Sequence, residues 1–154
     1  MDRVKNIFDR IGSLIPGYSG YAERDGRRNC DKILRDSIVS QLVEIEKTFN
    51  SRIYEALKKK DKETMNLIEE SRKQVNTFLS KVKFAPYGVT GFFSDNQIKE
   101  DELFVIYQND HDLADCVNQL QNLSNSDDIS EIKKQIENCI QILLKRNNYI
   151  NEFK

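Results

Sequence analysis

A run of basic residues follows a glycine-rich turn and could bind an oxyanion. Arg24, Arg28, Lys32 and Arg35 share one face of a predicted helix, directly after the turn at residues 15–21. A helix N-terminus offers free N–H groups, and arginine binds phosphate oxygens in a bidentate manner. The face could therefore hold a phosphate or nucleotide ligand, in a binding protein or in an enzyme. The turn has neither the lysine nor the preceding strand of a phosphate-binding loop.

Acidic residues alternate with these basic ones and offer a simpler interpretation. Glu23, Asp25, Asp31 and Asp36 lie within the same stretch, and acid–base pairs such as Asp31–Arg35 are four residues apart. Opposite charges at this spacing pair along the surface of a helix. We favour an ion-pair face, solvated or packed against acidic helices, over a ligand site.

The single histidine lies in an acidic cluster for which we expect no metal. His111 has Asp110 and Asp112 as neighbours, and Asp115 follows one turn later. Zinc sites combine several His or Cys ligands, and the chain has no second histidine. One histidine also leaves little scope for acid–base catalysis. We therefore expect no metal, no cofactor and no enzyme activity.

Asp110 differs from its neighbours because it falls on the apolar face of its helix. It lies three residues after Tyr107 and four before Ala114. A carboxylate in such a position is costly unless it is paired and hydrogen-bonded. We expect Asp110 to be buried in an ion pair with an arginine between Arg24 and Arg35.

Two short islands rich in glycine and aromatic residues interrupt the helical sequence. The first island is residues 15–21 and the second is residues 84–93, and together they hold both prolines and six of the fourteen aromatic residues. Glycine allows positive φ and proline fixes φ, which predicts shaped turns. We expect the second island to fold back over the bundle end near the first. The candidate contact residues are Tyr18, Tyr21, Tyr87, Phe92 and Phe93.

Apolar residues at three- and four-residue spacing predict five helices. They span residues 3–15, 22–60, 62–83, 100–123 and 128–152. The apolar stripe of the long second helix has a nearly heptad period, as in a coiled coil. Its short connection to the third helix predicts an antiparallel hairpin.

These elements predict an all-α fold in a single domain, residues 1–154. Residues 18–154 would form a four-helix antiparallel bundle, with the second island as its crossover loop. Residues 1–17 would form a short amphipathic arm. Its apolar face needs cover, and we favour protein because Asp2 and Asp9 offset its basic residues. The alternative is a peripheral membrane protein anchored on a membrane surface by residues 3–15.

The charge of the chain is close to neutral overall but uneven along its length. The net charge is −1, so we expect no bulk attraction to nucleic acid. Residues 1–84 carry 18 Lys and Arg against 13 Asp and Glu, whereas residues 85–154 carry 6 against 12. Packing of the two halves against each other would neutralise both. A basic N-terminal surface that meets an acidic partner or anionic lipid is the alternative.

The cysteines predict a reduced, cytoplasmic protein. Cys30, Cys116 and Cys139 are far apart in the sequence, and their odd number argues against a disulfide framework. Free thiols are typical of the cytosol. No segment has the pattern of a signal peptide or the apolar length of a membrane span.

The two islands and the flanking helix ends resemble an uncharacterised family of bacterial all-helical proteins. The resemblance is carried by Gly17-Tyr18-x-Gly20-Tyr21 with Arg24, Arg27-Arg28, Asp31-Lys32 and Arg35, and by Phe84-x-Pro86-Tyr87-Gly88-x-x-Gly91-Phe92-Phe93. It implies a helical fold and brings no catalytic residues. We expect a non-catalytic interaction module or scaffold that binds a protein partner or itself, through the long helix and the aromatic turns.

Overall fold

The computed structural model of the chain describes residues 2–94 and 96–153. Helices make up 77% of it, and no strand is formed by the described residues, which confirms the all-α class. A 3₁₀ turn, Arg24–Gly26, precedes the second helix. The five α-helices are α1 (Asp2–Leu14), α2 (Arg27–Lys58), α3 (Lys62–Lys83), α4 (Glu100–Leu123) and α5 (Ile129–Asn151).

The start of α2 is the one helix boundary that differs clearly from the expected position. The sequence predicted a start near Ala22, but the helix begins at Arg27 with Gly26 at its N-cap. The chain bends before it because Gly17 and Gly20 adopt φ values of 86° and 84°. Such left-handed values favour glycine, so the two glycines of the first island allow this bend.

Helices α2 and α3 form the expected antiparallel hairpin. Arg35 donates to the carbonyl of Lys83, and Asn76 donates to the side chain of Glu46. Residue numbers therefore pair in opposite order along the two helices. The Asp61 side chain caps α3, because it accepts a hydrogen bond from a backbone N–H in the first turn.

Helices α4 and α5 form a second hairpin, which packs beside the first. Asp110 pairs with Arg146, and Cys116 meets Cys139, so these helices are also antiparallel. Helix α4 contacts α2, and α5 contacts α3. The long linker between α3 and α4 contains the second island.

Helix α1 packs against α4 and contributes to the same hydrophobic core. Ile7, Ile11 and Ile15 are buried, and the partly buried Val4 and Phe8 pack against them and their neighbours. The expectation that this segment packs on protein is confirmed. The apolar face that would enter a bilayer is thus largely covered within the molecule.

The heptad-like stripe of α2 faces the core. Its buried residues lie at three- and four-residue intervals, and they are Leu34, Ile38, Leu42, Ile45 and Phe49. Leu57, near the end of the helix, is exposed. Most of the stripe is therefore used to hold the protein's own helices together.

Candidate functional site

A fully buried ion pair between α4 and α5 lies at the centre of the candidate site. The Nε atom of Arg146 donates to Oδ1 of Asp110 over 2.5 Å. Asp110 is buried as expected, but the expectation that its partner lies between Arg24 and Arg35 was wrong. Arg146 takes this place because the antiparallel hairpin brings the two positions opposite each other.

The second oxygen of Asp110 binds two tyrosines of the first island. The hydroxyl groups of Tyr18 and Tyr21 both donate to Oδ2, each over 2.6 Å. Hydrogen bonds to a carboxylate stabilise its charged form. These bonds attach the turn between α1 and α2 to the buried side of α4.

Arg146 extends the network to the second island and to α2. Its guanidinium donates to the hydroxyl groups of Tyr87 and Tyr21, over 2.6 and 3.0 Å, and to Oδ1 of Asp31 over 2.7 Å. The Tyr87 hydroxyl in turn donates to Oδ1 of Asp31 over 2.6 Å. One arginine therefore connects both islands with three helices.

A second arginine balances the charges of the network. Nε of Arg35 donates to Oδ2 of Asp31 over 2.9 Å, and the same guanidinium binds the carbonyl of Lys83. Two arginines, Arg35 and Arg146, thus face two aspartates, Asp31 and Asp110. Buried charges are tolerated when they are paired and hydrogen-bonded in this way.

Burial and these charges set the protonation states. Burial raises the pKa of Tyr18 and Tyr21 well above the ordinary value, and the charge of Asp110 adds to the effect. Burial also tends to raise the pKa of Asp31, but Arg146 and the Tyr87 hydrogen bond outweigh it and leave that pKa lowered. The tyrosines are therefore neutral hydrogen-bond donors, while Asp31 is ionised at neutral pH.

Another buried arginine joins the two islands through their backbones. Nε of Arg27 donates to the carbonyl of Tyr21 over 2.9 Å. Its Nη1 donates to the carbonyls of Phe92, Ser94 and Asn96, over 3.3, 2.9 and 2.8 Å. This side chain holds the end of the first island beside the end of the second, and it anchors both to the start of α2.

Aromatic contacts fill the space between the islands. The rings of Tyr21 and Phe92 are 5.0 Å apart between centroids, and Phe93 contacts both Phe92 and Tyr87 at 5.0 and 5.4 Å. Edge-on and tilted ring pairs at these distances are favourable. The prediction that the second island folds back onto the first is confirmed.

The remaining arginines predicted as phosphate ligands have separate partners. The guanidinium of Arg28 lies over the ring of Phe93, 4.8 Å from its centroid. Nε of Arg24 lies 3.6 Å from a carboxylate oxygen of Asp25, and both side chains are exposed. With Arg35 bound to Asp31, each of these three arginines contacts a different group of the protein, and Lys32 lies 3.7 Å from a carboxylate oxygen of Asp36.

Apart from the buried Asp110, the residues of the cluster around His111 are partly exposed on α4. Nδ1 of the half-buried His111 lies 3.5 Å from a carboxylate oxygen of Asp112. Asp115 accepts a hydrogen bond from Gln119. Within residues 2–94 and 96–153, no three His, Cys, Asp or Glu side chains are arranged to hold a metal ion. In the same ranges, no helix has the length and apolar character needed to cross a membrane.

The outer part of the second island is fastened to the end of α5. The backbone N–H of Gly88 donates to the side chain of Asn151 over 2.9 Å, and that of Gly91 donates to the carbonyl of Phe153 over 2.8 Å. The hydroxyl of Thr90 also binds carbonyls at this helix end. The loop is therefore held from outside as well as from the buried network.

Two apolar side chains of this fastened loop point into solvent. Phe84 is 71% exposed, and Val89 is fully exposed. Between them in the sequence, the half-buried Tyr87 points inward to Arg146. The loop thus carries two exposed apolar side chains on a backbone that is held at Gly88 and Gly91, and we call Phe84 and Val89 the loop surface.

The expected ion pair between Asp31 and Arg35 is present. The burial of three charged residues at this site was not predicted from the sequence, and they are Arg27, Asp31 and Arg146. All three continue the apolar stripe of their helix. Arg146, for example, follows Leu143 by three residues and precedes Ile150 by four. The same signal identified Asp110, so it would have identified these residues too.

Comparison of the chain with protein-family models, with curated proteins and with solved structures gave no match.

Proposed function

We propose that the protein is a non-catalytic helical interaction module that binds a protein partner, or a second copy of itself, through the loop surface. One observation carries the proposal: Phe84 and Val89 are exposed on a backbone that α5 and Arg146 hold in place. Exposed apolar side chains can gain free energy when a partner covers them. A loop that is already ordered loses little conformational entropy when it binds.

In this proposal the buried network has a positioning role. Asp110 and Arg146 are fully buried, and both oxygens of Asp110 already accept hydrogen bonds from protein groups. A substrate would have to displace those bonds and open the bundle end. Tyr18, Tyr21 and Phe92 are buried too, so their contribution to binding is to support the loop from within.

The proposed architecture is a four-helix bundle of α2–α5, made of two antiparallel hairpins with the second island as the crossover. Such a bundle is a stiff support for a loop at one end. The proposed location is the cytoplasm, because three free thiols are typical of proteins there.

Site-specific photo-crosslinking in cells tests this proposal. A photoreactive amino acid replaces Val89 in the full-length protein, and a matched control replaces the exposed Glu63 near the start of α3. Helix α3 separates the two positions by about 30 Å, given a rise of about 1.5 Å per residue. We expect a defined crosslinked species from position 89 and none from position 63.

Two further measurements decide the result. Phe84→Ser should abolish the crosslink from position 89, because it removes the other apolar side chain of the loop surface while leaving the core intact. Light scattering of the purified protein then shows whether the crosslinked species is a second copy. Equal labelling from positions 63 and 89, or labelling that is unchanged by Phe84→Ser, would overturn the proposal.

A further inference from the structure

Two cysteines that are 23 positions apart meet between α4 and α5. The Sγ atoms of Cys116 and Cys139 are 2.9 Å apart, and both residues are buried. A disulfide bond is about 2.05 Å long, so the sulfurs need to approach by roughly 0.9 Å to form one. Only the antiparallel pairing of α4 with α5 brings these thiols together.

The surroundings of the two sulfurs are unequal. Sγ of Cys116 accepts hydrogen bonds from Nε2 of Gln135 over 3.1 Å and from Nδ2 of Asn138 over 3.3 Å. The Cys139 thiol is a third donor to the same sulfur. Donors that converge on one sulfur stabilise its thiolate, which is the nucleophilic form.

The pKa directions agree with this geometry. The hydrogen bond from Cys139 lowers the pKa of Cys116, although burial and the carboxylates of Asp115 and Asp112 act in the opposite direction. The hydrogen bond to Cys116 raises the pKa of Cys139, and burial adds to the increase. Cys116 is therefore the nucleophile of the pair, and Cys139 retains its proton.

A surface groove lies beside the side chains that bind the Cys116 sulfur. Gln135 and Asn138 line a groove of about 520 Å³, together with Gln119 and Leu123. Cys116 itself is 3% exposed, whereas Cys139 is fully buried. The groove therefore leads to the two side chains that hold the Cys116 sulfur.

We propose that Cys116 and Cys139 form a peroxide-sensitive thiol pair that closes to a disulfide between α4 and α5. The Cys116 thiolate attacks one oxygen of hydrogen peroxide, the O–O bond breaks, and hydroxide leaves as the sulfur becomes a sulfenic acid. The Cys139 sulfur then attacks the Cys116 sulfur, the S–O bond breaks, and the thiol proton leaves with the hydroxide as water. Two thiols and one peroxide thus give one disulfide and two waters, once the first hydroxide is protonated.

Cys30 provides a matched internal control for this chemistry. It is also buried, but its sulfur accepts a hydrogen bond from the backbone of Gly20, and burial together with Asp110 raises its pKa to about 11. A thiol with a raised pKa is rarely ionised at neutral pH and reacts slowly with peroxide. The proposal therefore predicts selective oxidation within one folded chain.

Peroxide titration of the reduced full-length protein tests the proposal. One equivalent of hydrogen peroxide should lower the number of free thiols from three to one, and non-reducing peptide mapping should recover the Cys116–Cys139 crosslink. Cys30→Ser should behave like the wild type in the mapping. Cys139→Ser should stop at the sulfenic acid, which dimedone labels at Cys116.

The reactivity of Cys30 decides between the outcomes. We expect the pair to react on the order of tenfold faster than Cys30, as its thiolate character requires. Oxidation of Cys30 at the same rate as the pair, or the absence of a Cys116–Cys139 peptide after peroxide treatment, would overturn the proposal. The wild type and Cys30→Ser alone distinguish these outcomes, so the test does not require Cys139→Ser to fold.

Discussion

Nε of Arg146 lies 2.5 Å from Oδ1 of Asp110, although the two residues are 36 positions apart and both side chains are fully buried. Removing both charges from water is costly unless further hydrogen bonds complete their surroundings. Tyrosines of the first island complete those of Asp110, and Tyr87 of the second island binds Arg146. The pair therefore determines how the two islands fit against α4 and α5.

Removal of the buried carboxylate should be far more harmful than removal of an exposed one. Asp110→Ala leaves Arg146 as an unpaired buried charge, so we expect a loss of about 3 kcal/mol in the free energy of unfolding. Asp101→Ala is the control, because Asp101 is 92% exposed and pairs with Arg3 over 3.1 Å. Urea denaturation should show a change below about 0.5 kcal/mol for the control. Similar losses for the two variants would contradict the account.

Two glycines should respond in opposite directions to substitution by alanine. Gly20 has a φ of 84°, and a Cβ there would lie 2.5 Å from the Tyr107 hydroxyl oxygen and 2.9 Å from a ring carbon of Phe8. Gly20→Ala should therefore destabilise the protein by on the order of 2 kcal/mol. Gly12 lies inside α1 with open space around a Cβ, so Gly12→Ala should stabilise by up to about 1 kcal/mol. Thermal unfolding of both variants measures the two changes in stability. If Gly20→Ala is as stable as the wild type, the loop has relaxed around the new methyl group and the prediction is wrong.

Stability should fall at alkaline pH because buried tyrosines keep their protons. Burial raises the pKa of Tyr18 and Tyr21 above 10.0, so the unfolded chain loses these protons first as the pH rises. Their contribution is complete below pH 10 and declines as the pH rises toward the folded-state values. Tyr21→Phe removes one such proton, so its unfolding free energy should decline less steeply above pH 10. Identical slopes for the variant and the wild type would show that this tyrosine ionises freely in the folded protein.

The two ends of the second island should differ in their contribution to stability. Phe92 is fully buried against Tyr21 and Phe93, so Phe92→Ala should cost about 3–5 kcal/mol. Phe84 is exposed on the loop surface, so Phe84→Ala should stay within about 0.5 kcal/mol. Chemical denaturation of the two variants makes the comparison. A large effect at Phe84 would mean that the loop surface belongs to the core.

Periodicity predicted the helices well because the apolar residues of each helix face one common core. The bounds of α3 and α4 match the prediction, and α5 differs by one residue at each end. The start of α2 could not be predicted in the same way. It depends on Arg27, whose side chain binds the carbonyls of Tyr21 and, far along the sequence, of Phe92 and Ser94, and holds the preceding residues out of the helix.

The partner of Asp110 could not be identified from local sequence, because it depends on which helices become neighbours. A charged residue in an apolar stripe indicates burial, but not the residue that it meets. The same limit applies to Cys116 and Cys139, which are distant in the sequence and adjacent in the fold. A search of every helix for charged residues at apolar positions would still have added Asp31 and Arg146 to the candidate site.

A double-mutant cycle between Asp110 and Arg146 tests the central claim most directly. Asp110→Asn, Arg146→Met and the double variant are compared with the wild type by urea denaturation, which gives the coupling free energy of the pair. We expect a favourable coupling of at least about 1.5 kcal/mol, as for residues in one buried network. Additive effects, with a coupling below about 0.5 kcal/mol, would contradict the claim that this pair holds the two islands in place.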